Sequence, residues 1–195
     1  MFRKLGCVLA AAMLAAPALL AAQAPNRTRS AAPELDVAIT YNATLSRDLA
    51  SNNFWMQGGA VEVHGRFYGG LGVVADVAGM HVADIHSTGV GLDLVTATFG
   101  PRYTWAPAKK RYELFGQGLV GEANGFNGLF PNASGATDSA NSLAVQAGGG
   151  MNVNLRPHLA LRAFDVNWLR TQFPNSAGNI ENHVRFGTGL VFRFR

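Results

Sequence analysis

Apolar side chains alternate with polar or small ones along most of this chain of 195 residues. In its last nine residues, GTGLVFRFR, the side chains of Leu190, Phe192 and Phe194 fall on one side of an extended strand. Val191 and Arg193 fall on the other side, because strand side chains alternate with a period of two. Eight segments follow this pattern: 34–44, 55–67, 69–79, 92–105, 112–123, 142–155, 159–170 and 182–194. The alternation predicts an all-β chain with eight strands.

In two of these segments, the assignment of side chains to the inner or outer face of the sheet needs a separate argument. In the fifth segment we place Phe115 and Leu119 on the outer side of the sheet and Glu122 on the inner side. In the seventh segment Arg162 and Asp165 lie on opposite parities. A β-bulge between them would bring both side chains to the same face, and we expect one there.

The connections between the segments alternate in length. Three are short: the Phe67–Tyr68 turn, 107–111 and 156–158. Four are long: 44–54, 80–91, 124–141 and 171–181. Membrane barrels place tight turns at one rim and long loops at the other, and a tilted strand of about 10 residues crosses a bilayer. We therefore predict an eight-stranded antiparallel up-and-down transmembrane β-barrel.

The amino terminus, MFRKLGCVLAAAMLAAPALLAAQA, is typical of a cleaved secretory signal peptide. Arg3 and Lys4 precede an Ala-rich apolar run that ends in small residues. The run is broken by Pro17 and is shorter than the roughly 20 residues of a membrane anchor. Cleavage after Ala22 is favoured over cleavage after Ala24, because a proline follows Ala24. The predicted organisation is a signal peptide at 1–22, a short flexible leader at 23–33 and the barrel domain at 34–195.

The composition excludes several classes of function. Cys7 is the only cysteine and lies within the signal peptide, so a disulfide framework, a thiolate nucleophile and a cysteine metal site are excluded. Removal of the signal peptide lowers the net charge from +4 to +2, which is too little for a nucleic-acid partner. His81, Asp84 and His86 are interpreted as exposed loop residues. We expect no metal, no other cofactor and no catalytic site.

The inner parity of the strands carries Gly, Thr, Asn, Gln and charged residues, which a soluble core would not contain. We predict a charge network in the lumen made of Glu62, His64, Arg66, Asp76, Arg102, Glu122, Arg185 and Arg193. Side chains fill the interior of an eight-stranded barrel, and an unpaired buried charge is costly. Glu62 is therefore expected to pair with Arg102 or Arg185. A narrow pore lined by the same charges is the alternative.

The outer parity is aliphatic along its middle and aromatic near its ends. The residues assigned to interfacial aromatic girdles are Tyr41, Trp55, Phe67, Tyr103, Trp105, Phe192 and Phe194. The third long connection is polar but contains Phe126, Leu129 and Phe130. Because binding functions concentrate on loops held by a rigid scaffold, these three are the candidate external contacts.

The end of the chain resembles the carboxy-terminal signal that outer-membrane barrels present to the BAM insertion machinery. The residues that fit this signal are Arg185, Gly187, Leu190, Phe192 and Phe194. Arg195 follows them, where the usual last residue is Phe itself. From about 34 to 194 the chain is similar to the small eight-stranded outer-membrane barrels of the OmpA-like and opacity-protein type, including TFGPRYTW, KRYELFGQGLVG and LAVQAGGGMNVNLRPHLALR.

This resemblance implies a monomer in the outer membrane of a Gram-negative-type bacterium, exported through the Sec pathway. Outer-membrane lipid, lipopolysaccharide, the BAM machinery and periplasmic chaperones are the implied partners. We expect a non-enzymatic, envelope-stabilising barrel that displays external loops for surface interaction. A small porin-like diffusion channel is the alternative. A lipid A-modifying barrel enzyme is a weaker one, because neither His86–Ser87 beside Asp84 nor His64 near Glu62 forms the motif of such an enzyme.

Overall fold

The computed structural model describes residues 34–47, 53–107, 110–132, 135–175 and 178–194. The predicted signal peptide and leader therefore lie outside the described residues. Ten strands are formed: β1 (Glu34–Arg47), β2 (Asn53–Tyr68), β3 (Leu71–Val82), β4 (Leu92–Trp105), β5 (Tyr112–Phe126), β6 (Phe130–Asn132), β7 (Gly135–Thr137), β8 (Ala140–Arg156), β9 (Leu159–Thr171) and β10 (Glu181–Phe194). No helix within the described ranges is long and apolar enough to cross a membrane.

Eight of the strands close into an antiparallel barrel in the order β1-β10-β9-β8-β5-β4-β3-β2. Each strand pairs with its neighbours in the chain, and β10 closes the barrel on β1 from Leu35↔Phe194 to Ser46↔His183. The predicted eight-stranded barrel is confirmed. Strands β6 and β7 form a separate two-stranded hairpin within the connection from β5 to β8, which the sequence pattern did not indicate.

The two ends of the barrel differ in their connections. At the end where β1 begins and β10 ends, the links are 69–70, 106–111 and 157–158; at the other end they are 48–52, 83–91, 127–139 and 172–180. We call these the turn end and the loop end. The predicted strict alternation in length holds only in part, because β1 and β2 extend into the first long connection and leave a link shorter than 106–111.

The turn between β2 and β3 lies later than predicted. Tyr68 is the last residue of β2, and the turn is made by Gly69 and Gly70. Both glycines have positive φ angles, 52° and 94°, a conformation that side-chain-bearing residues rarely adopt. The glycine pair, rather than the aromatic pair before it, therefore sets this turn.

The predicted bulge in β9 is confirmed. Arg162 and Asp165 are both buried, and the register of β9 against β8 and against β10 skips Ala163. The extra residue changes the parity of the strand, so two charged side chains that would otherwise diverge both point into the barrel.

The orientation predicted for β5 is wrong. Phe115 and Leu119 are buried inside the barrel, whereas Gly118, Val120 and Glu122 are on its outer face. Glu122 therefore does not belong to the lumen network. The prediction failed because it treated apolar side chains as facing outward, although a narrow lumen also needs apolar volume to be filled.

Candidate functional site

The outer surface of the barrel is an apolar band. On β1 the outward apolar positions begin at Leu35 and end at Leu45. With a rise of about 3.3 Å per residue and a tilt near 40°, this stretch covers about 25 Å along the barrel axis, the height of a lipid-facing band. The residues assigned to the aromatic girdles are all exposed on this surface: Tyr41, Trp55, Phe67, Tyr103, Trp105, Phe192 and Phe194. Such an exterior suits a lipid bilayer.

The interior nearest the turn end is filled by charged side chains. This basal charge cluster consists of Glu34, Asp36, His64, Arg66, Glu113 and Arg193. Arg193 donates a hydrogen bond to Glu113 at 2.7 Å, and its Nε lies 3.8 Å from the Asp36 carboxylate. Arg66 lies between Glu34 at 3.0 Å and Glu113 at 3.6 Å. Both arginines thus face carboxylates from other strands, which ties β1, β2, β5 and β10 together.

The middle of the interior is held by a central charge cluster of Glu62, Asp76, Arg102, Arg162, Asp165 and Arg185. Glu62 accepts hydrogen bonds from Arg102 at 2.6 Å and from Arg162 at 2.8 Å. Arg162 also donates to Asp165 at 3.1 Å. One carboxylate on β2 therefore joins cations from β4 and β9, which lie on different sides of the barrel.

A second buried pair crosses the lumen beside these groups. The two terminal nitrogens of Arg185 donate to the two carboxylate oxygens of Asp76 at 3.0 and 2.8 Å. This fork-to-fork geometry gives strong, directional hydrogen bonds. With it, the central cluster holds three arginines and three carboxylates, so its formal charge is balanced.

An aromatic ring completes the central packing. The guanidinium carbons of Arg102 and Arg162 lie 4.2 and 4.6 Å from the centroid of the Phe115 ring. Cations at this distance from an aromatic face are attracted to it. Arg102 also donates to Gln117 at 2.9 Å, and Gln117 donates to Asn167 at 3.0 Å. The lumen at this level is therefore occupied by connected side chains.

The interior nearest the loop end is mostly apolar, with buried polar side chains chiefly on its β1, β9 and β10 side and in the adjoining connection. Its apolar cap consists of Met56, Ala60, Ala78, Met80, Leu94, Ala123, Phe130, Ala144, Leu169 and Phe173. Phe130, from the β6–β7 hairpin, packs on Phe173 from the connection 172–180, with ring centroids 5.3 Å apart. These connections thus contribute side chains that fill the mouth of the barrel.

The candidate loop contacts divide into two groups. Phe126 and Leu129 are exposed, 43% and 66%. Phe130 is only 6% exposed and belongs to the apolar cap, so its prediction as an external contact is wrong. Phe130 is buried because packing its ring on Phe173 removes apolar surface of both rings from water, which is favourable.

The residues of the proposed BAM signal lie on both faces of β10. Arg185 and Gly187 are on the inner parity, whereas Leu190, Phe192 and Phe194 are exposed on the outer face. The barrel thus displays the three apolar residues as one outward row. Their recognition by BAM stays a prediction.

The residues considered for metal binding or catalysis have separate partners. His81 Nδ1 lies 2.5 Å from Asp93 Oδ1, His86 Nε2 lies 3.2 Å from the carbonyl oxygen of Asn53, and Asp84 accepts a backbone N–H of its own turn. Within the described ranges no group of three or more His, Cys, Asp or Glu could hold a metal ion.

A buried hydroxyl–imidazole group near the loop end was not predicted. Ser46 Oγ lies 2.6 Å from His183 Nδ1, and Thr171 Oγ1 lies 3.1 Å from His183 Nε2. Glu181 lies 4.0 Å from the same ring. A serine beside a histidine suggests a nucleophile, but Ser46 is only 1% exposed and Thr171 occupies the second ring nitrogen. The group joins β1, β9 and β10, and the inward parity of Ser46 and His183 was its only sequence signal.

Polar side chains also occur on the outer face in the half of the barrel nearest the loop end. We call these the polar rim: Arg47, Gln57, His81, Asp93, Glu122, Asn141, Arg170 and Asn182. Gln57 and Glu122 lie within the apolar band, because Trp55 and Phe126 face outward nearer the loop end. The acidic members, Asp93 and Glu122, lie on β4 and β5. The arginines, Arg47 and Arg170, lie on β1 and β9. The rim is therefore divided into an acidic side and a basic side.

Comparison with known proteins gives a fold but no close relative. The sequence matches no family profile and no curated protein. The structure of Ail, the attachment invasion locus protein of Yersinia pestis, is similar with a TM-score of 0.58 and 16% identity over 83% of this chain and 99% of that one. Neisserial surface protein A is similar with a TM-score of 0.60 and 12% identity over 82% and 97%. The chain has the fold of the small eight-stranded outer-membrane β-barrels.

A third neighbour agrees with this fold. The outer membrane protein OprG from Pseudomonas aeruginosa is similar with a TM-score of 0.51 and 11% identity over 84% of this chain and 97% of that one. The barrel therefore accounts for nearly the whole length of each of these three proteins. At such identities the likeness extends to the fold and not to the individual roles of the neighbours.

Proposed function

We propose that this protein is a closed, non-enzymatic outer-membrane barrel that stabilises the envelope and presents its long connections for surface contacts. The observation that carries the proposal is the filled interior. Paired charges occupy the turn end and the middle of the lumen, and the apolar cap occupies the loop end. The charged filling is built from side chains of the barrel strands, and the apolar filling adds Phe130 and Phe173 from two connections to such side chains.

The filled interior argues against the alternative of a diffusion channel. A channel needs a continuous path for water, but the contacts of Glu62 with Arg102 and Arg162 bridge the middle of the lumen. Towards the loop end, Met56 and Leu94 are fully buried and apolar, which disfavours hydrated ions. The balanced charge of the central cluster also gives little basis for ion selectivity.

The loops disfavour a strongly anionic partner. The connections 48–52, 83–91, 127–139 and 172–180 contain no Lys or Arg. Leu129 and Ile180 are exposed there, 66% and 44%. Ail has been solved in complex with the heparin analogue sucrose octasulfate. Loops that contain three aspartates and no Lys or Arg do not favour a sulfated sugar as their partner in this chain.

Insertion by BAM, with delivery by periplasmic chaperones, is part of the same proposal. The outward row formed by Leu190, Phe192 and Phe194 supports it, because this row lies on the last strand and remains exposed after folding. Replacement of Phe192 and Phe194 by Ser is expected to lower the yield of folded barrel in cells. Refolding of the same variant from urea into detergent, where BAM is absent, serves as the control.

Single-channel recording tests the closed barrel. The full chain is expressed, purified from outer membranes and checked for heat-modifiable gel mobility before it is placed in planar bilayers. We expect no discrete current steps. Stable steps that change with Glu62→Gln or Arg102→Ala would overturn the proposal in favour of a channel. Mass spectra of lipid A from cells with and without the protein test the enzymatic alternative, and we expect identical spectra.

A further inference from the structure

The two arginines of the polar rim lie near each other and have no partner within the part of the chain that the structure describes. Arg170 on β9 is paired in register with Asn182 on β10. The β1–β10 register ends at Ser46↔His183, so Arg47 and Asn182 are the next residues along these two strands. Strands are about 4.8 Å apart, so the backbones of the two arginines are separated by roughly 10 Å, which two extended guanidinium side chains can span. Neither arginine makes a hydrogen bond or ion pair with a described residue, and Arg170 Nε is buried without an acceptor.

Aromatic residues place these arginines at the level of lipid headgroups. Trp168 precedes Arg170 by two residues on the same face, and its indole Nε1 donates to Asn182 at 3.2 Å. Trp55 lies opposite Leu45, one outward position nearer the membrane than Arg47. Tryptophan at a membrane–water interface marks the headgroup region. The arginines immediately beyond the tryptophans therefore face headgroups rather than acyl chains.

A cavity of about 370 Å³ opens beside Arg47 at the loop end of the β1–β10 seam. The part of its lining that faces outward is both polar and apolar: Leu45, Arg47, Asn53, Ile180, Asn182 and Val184. A molecule with a charged group next to an apolar part fits such a lining. An inorganic ion would use only the polar side.

The acidic side of the polar rim differs from the basic side in its hydrogen bonding. Asp93 is already held by His81 at 2.5 Å and by the side chain of Asn127. Asp93 on the acidic side is thus satisfied internally, whereas neither arginine on the basic side has an acceptor among the described residues. The terminal guanidinium nitrogens of two arginines match the oxygens of a phosphate.

We propose that Arg47, Arg170 and Asn182 bind the phosphate group of an outer-leaflet lipid headgroup, of the kind that lipid A carries, with the adjoining cavity receiving the neighbouring part of that lipid. This inference rests on the proposed location in the outer membrane. Glu181 also lines the cavity, but on the inner parity of β10, beside His183. The phosphate therefore lies over the arginines on the outer side of the cavity.

Native mass spectrometry of the full chain, released from phosphatidylcholine nanodiscs that contain diphosphoryl lipid A, tests the proposal. We expect retained lipid A on the wild-type protein and a loss of affinity of roughly tenfold per arginine for Arg47→Gln and Arg170→Gln, the scale of a charge-assisted hydrogen bond. Arg156→Gln is the matched control, because Arg156 is an exposed arginine at the turn end. All variants must keep heat-modifiable mobility and lie in the outer-membrane fraction.

The outcomes separate the site from the general function. Equal retention by wild type and the double variant, or an equal loss in Arg156→Gln, overturns the site. Displacement of lipid A by millimolar inorganic phosphate overturns the lipid as occupant and leaves an unspecific phosphate site. A barrel that conducts but retains lipid A in an arginine-dependent manner overturns the closed-barrel function alone. A chain absent from the outer membrane overturns both.

Discussion

The two halves of the barrel interior are closed by different physical means. Towards the turn end and the middle, strands are joined by ion pairs, with Glu62 shared by Arg102 and Arg162. Towards the loop end, the strands meet through buried apolar side chains, with Leu94 and Leu169 fully enclosed. The same barrel backbone accommodates both the ion pairs and the apolar packing, because an inward strand position can carry a charged or an apolar side chain.

The difference matters for tolerance to change. A buried ion pair depends on its partner, since removal of one charge leaves the other buried and uncompensated. An apolar contact depends on volume, since a smaller side chain leaves a cavity but no orphaned charge. The charged half should therefore be sensitive to charge and the apolar half to size.

The largest expected effect is that of Glu62→Ala. It leaves Arg102 and Arg162 buried without their shared carboxylate, and we expect a loss of about 3–5 kcal/mol in the free energy of unfolding. Urea titration in phospholipid vesicles, followed by tryptophan fluorescence, gives the value.

A matched variant separates charge balance from packing in the same place. The fourfold change Glu62→Leu, Arg102→Met, Arg162→Met and Asp165→Asn removes two charges of each sign and is expected to be nearly neutral, or up to about 4 kcal/mol stabilising. If the fourfold variant is as unstable as Glu62→Ala, the ion pairs contribute more than their desolvation costs, and the distinction between the halves is lost.

Next in size is Leu94→Ala in the apolar cap. Leu94 is fully buried, and its truncation is expected to lower the free energy of unfolding by about 3 kcal/mol. The loss has two parts, because the removed methyl groups no longer gain from burial and the space they leave remains as a cavity. Leu94→Met, which roughly conserves volume, should cost less than about 1.5 kcal/mol. The same urea titration measures both. Similar losses for the two variants would mean that the apolar half depends on shape as strictly as the charged half depends on charge.

The sequence predicted most of the strands because a barrel wall has a strict period of two. The eight segments, the outward aromatic residues and the bulge at Ala163 all follow from parity, and each parity is local information. The pairing of Glu62 with Arg102 could be anticipated because charges of opposite sign on inner positions must find each other in a narrow lumen.

What the sequence did not indicate depends on contacts between distant segments. Phe115 lies inside because two arginines from other strands stack on it, and Phe130 is buried because Phe173 meets it across the mouth. That Arg47 and Arg170 have no partner among the described residues likewise depends on which strands are neighbours. Periodicity predicts which face of the sheet a residue lies on, but not which side chains of other strands it contacts there.

A smaller effect is expected at the seam where the barrel closes. A Cβ atom added at Gly189 would lie 2.0 Å from the carbonyl oxygen of Ile39 on β1, so Gly189→Ala forces the two strands apart. We expect a cost of about 1–3 kcal/mol, the range of overpacking. Gly118→Ala is the control, because no atom lies within 4 Å of its added Cβ. Urea midpoints of the two variants give the comparison, and equal midpoints would show that β1 and β10 adjust freely.

The smallest effect tests whether burial, rather than the presence of an ion pair, gives the charged half its sensitivity. Arg66 belongs to the basal charge cluster, but its side chain is 19% exposed and that of its partner Glu34 is 14% exposed. Water therefore screens this pair more than it screens Glu62 with Arg102, whose side chains are 3% and 2% exposed. We expect Arg66→Gln to cost about 1 kcal/mol or less by the same urea titration. A cost near that of Glu62→Ala would mean that water screens ion pairs at the turn end as little as in the middle of the lumen. The whole charged half would then be equally sensitive to the loss of one charge.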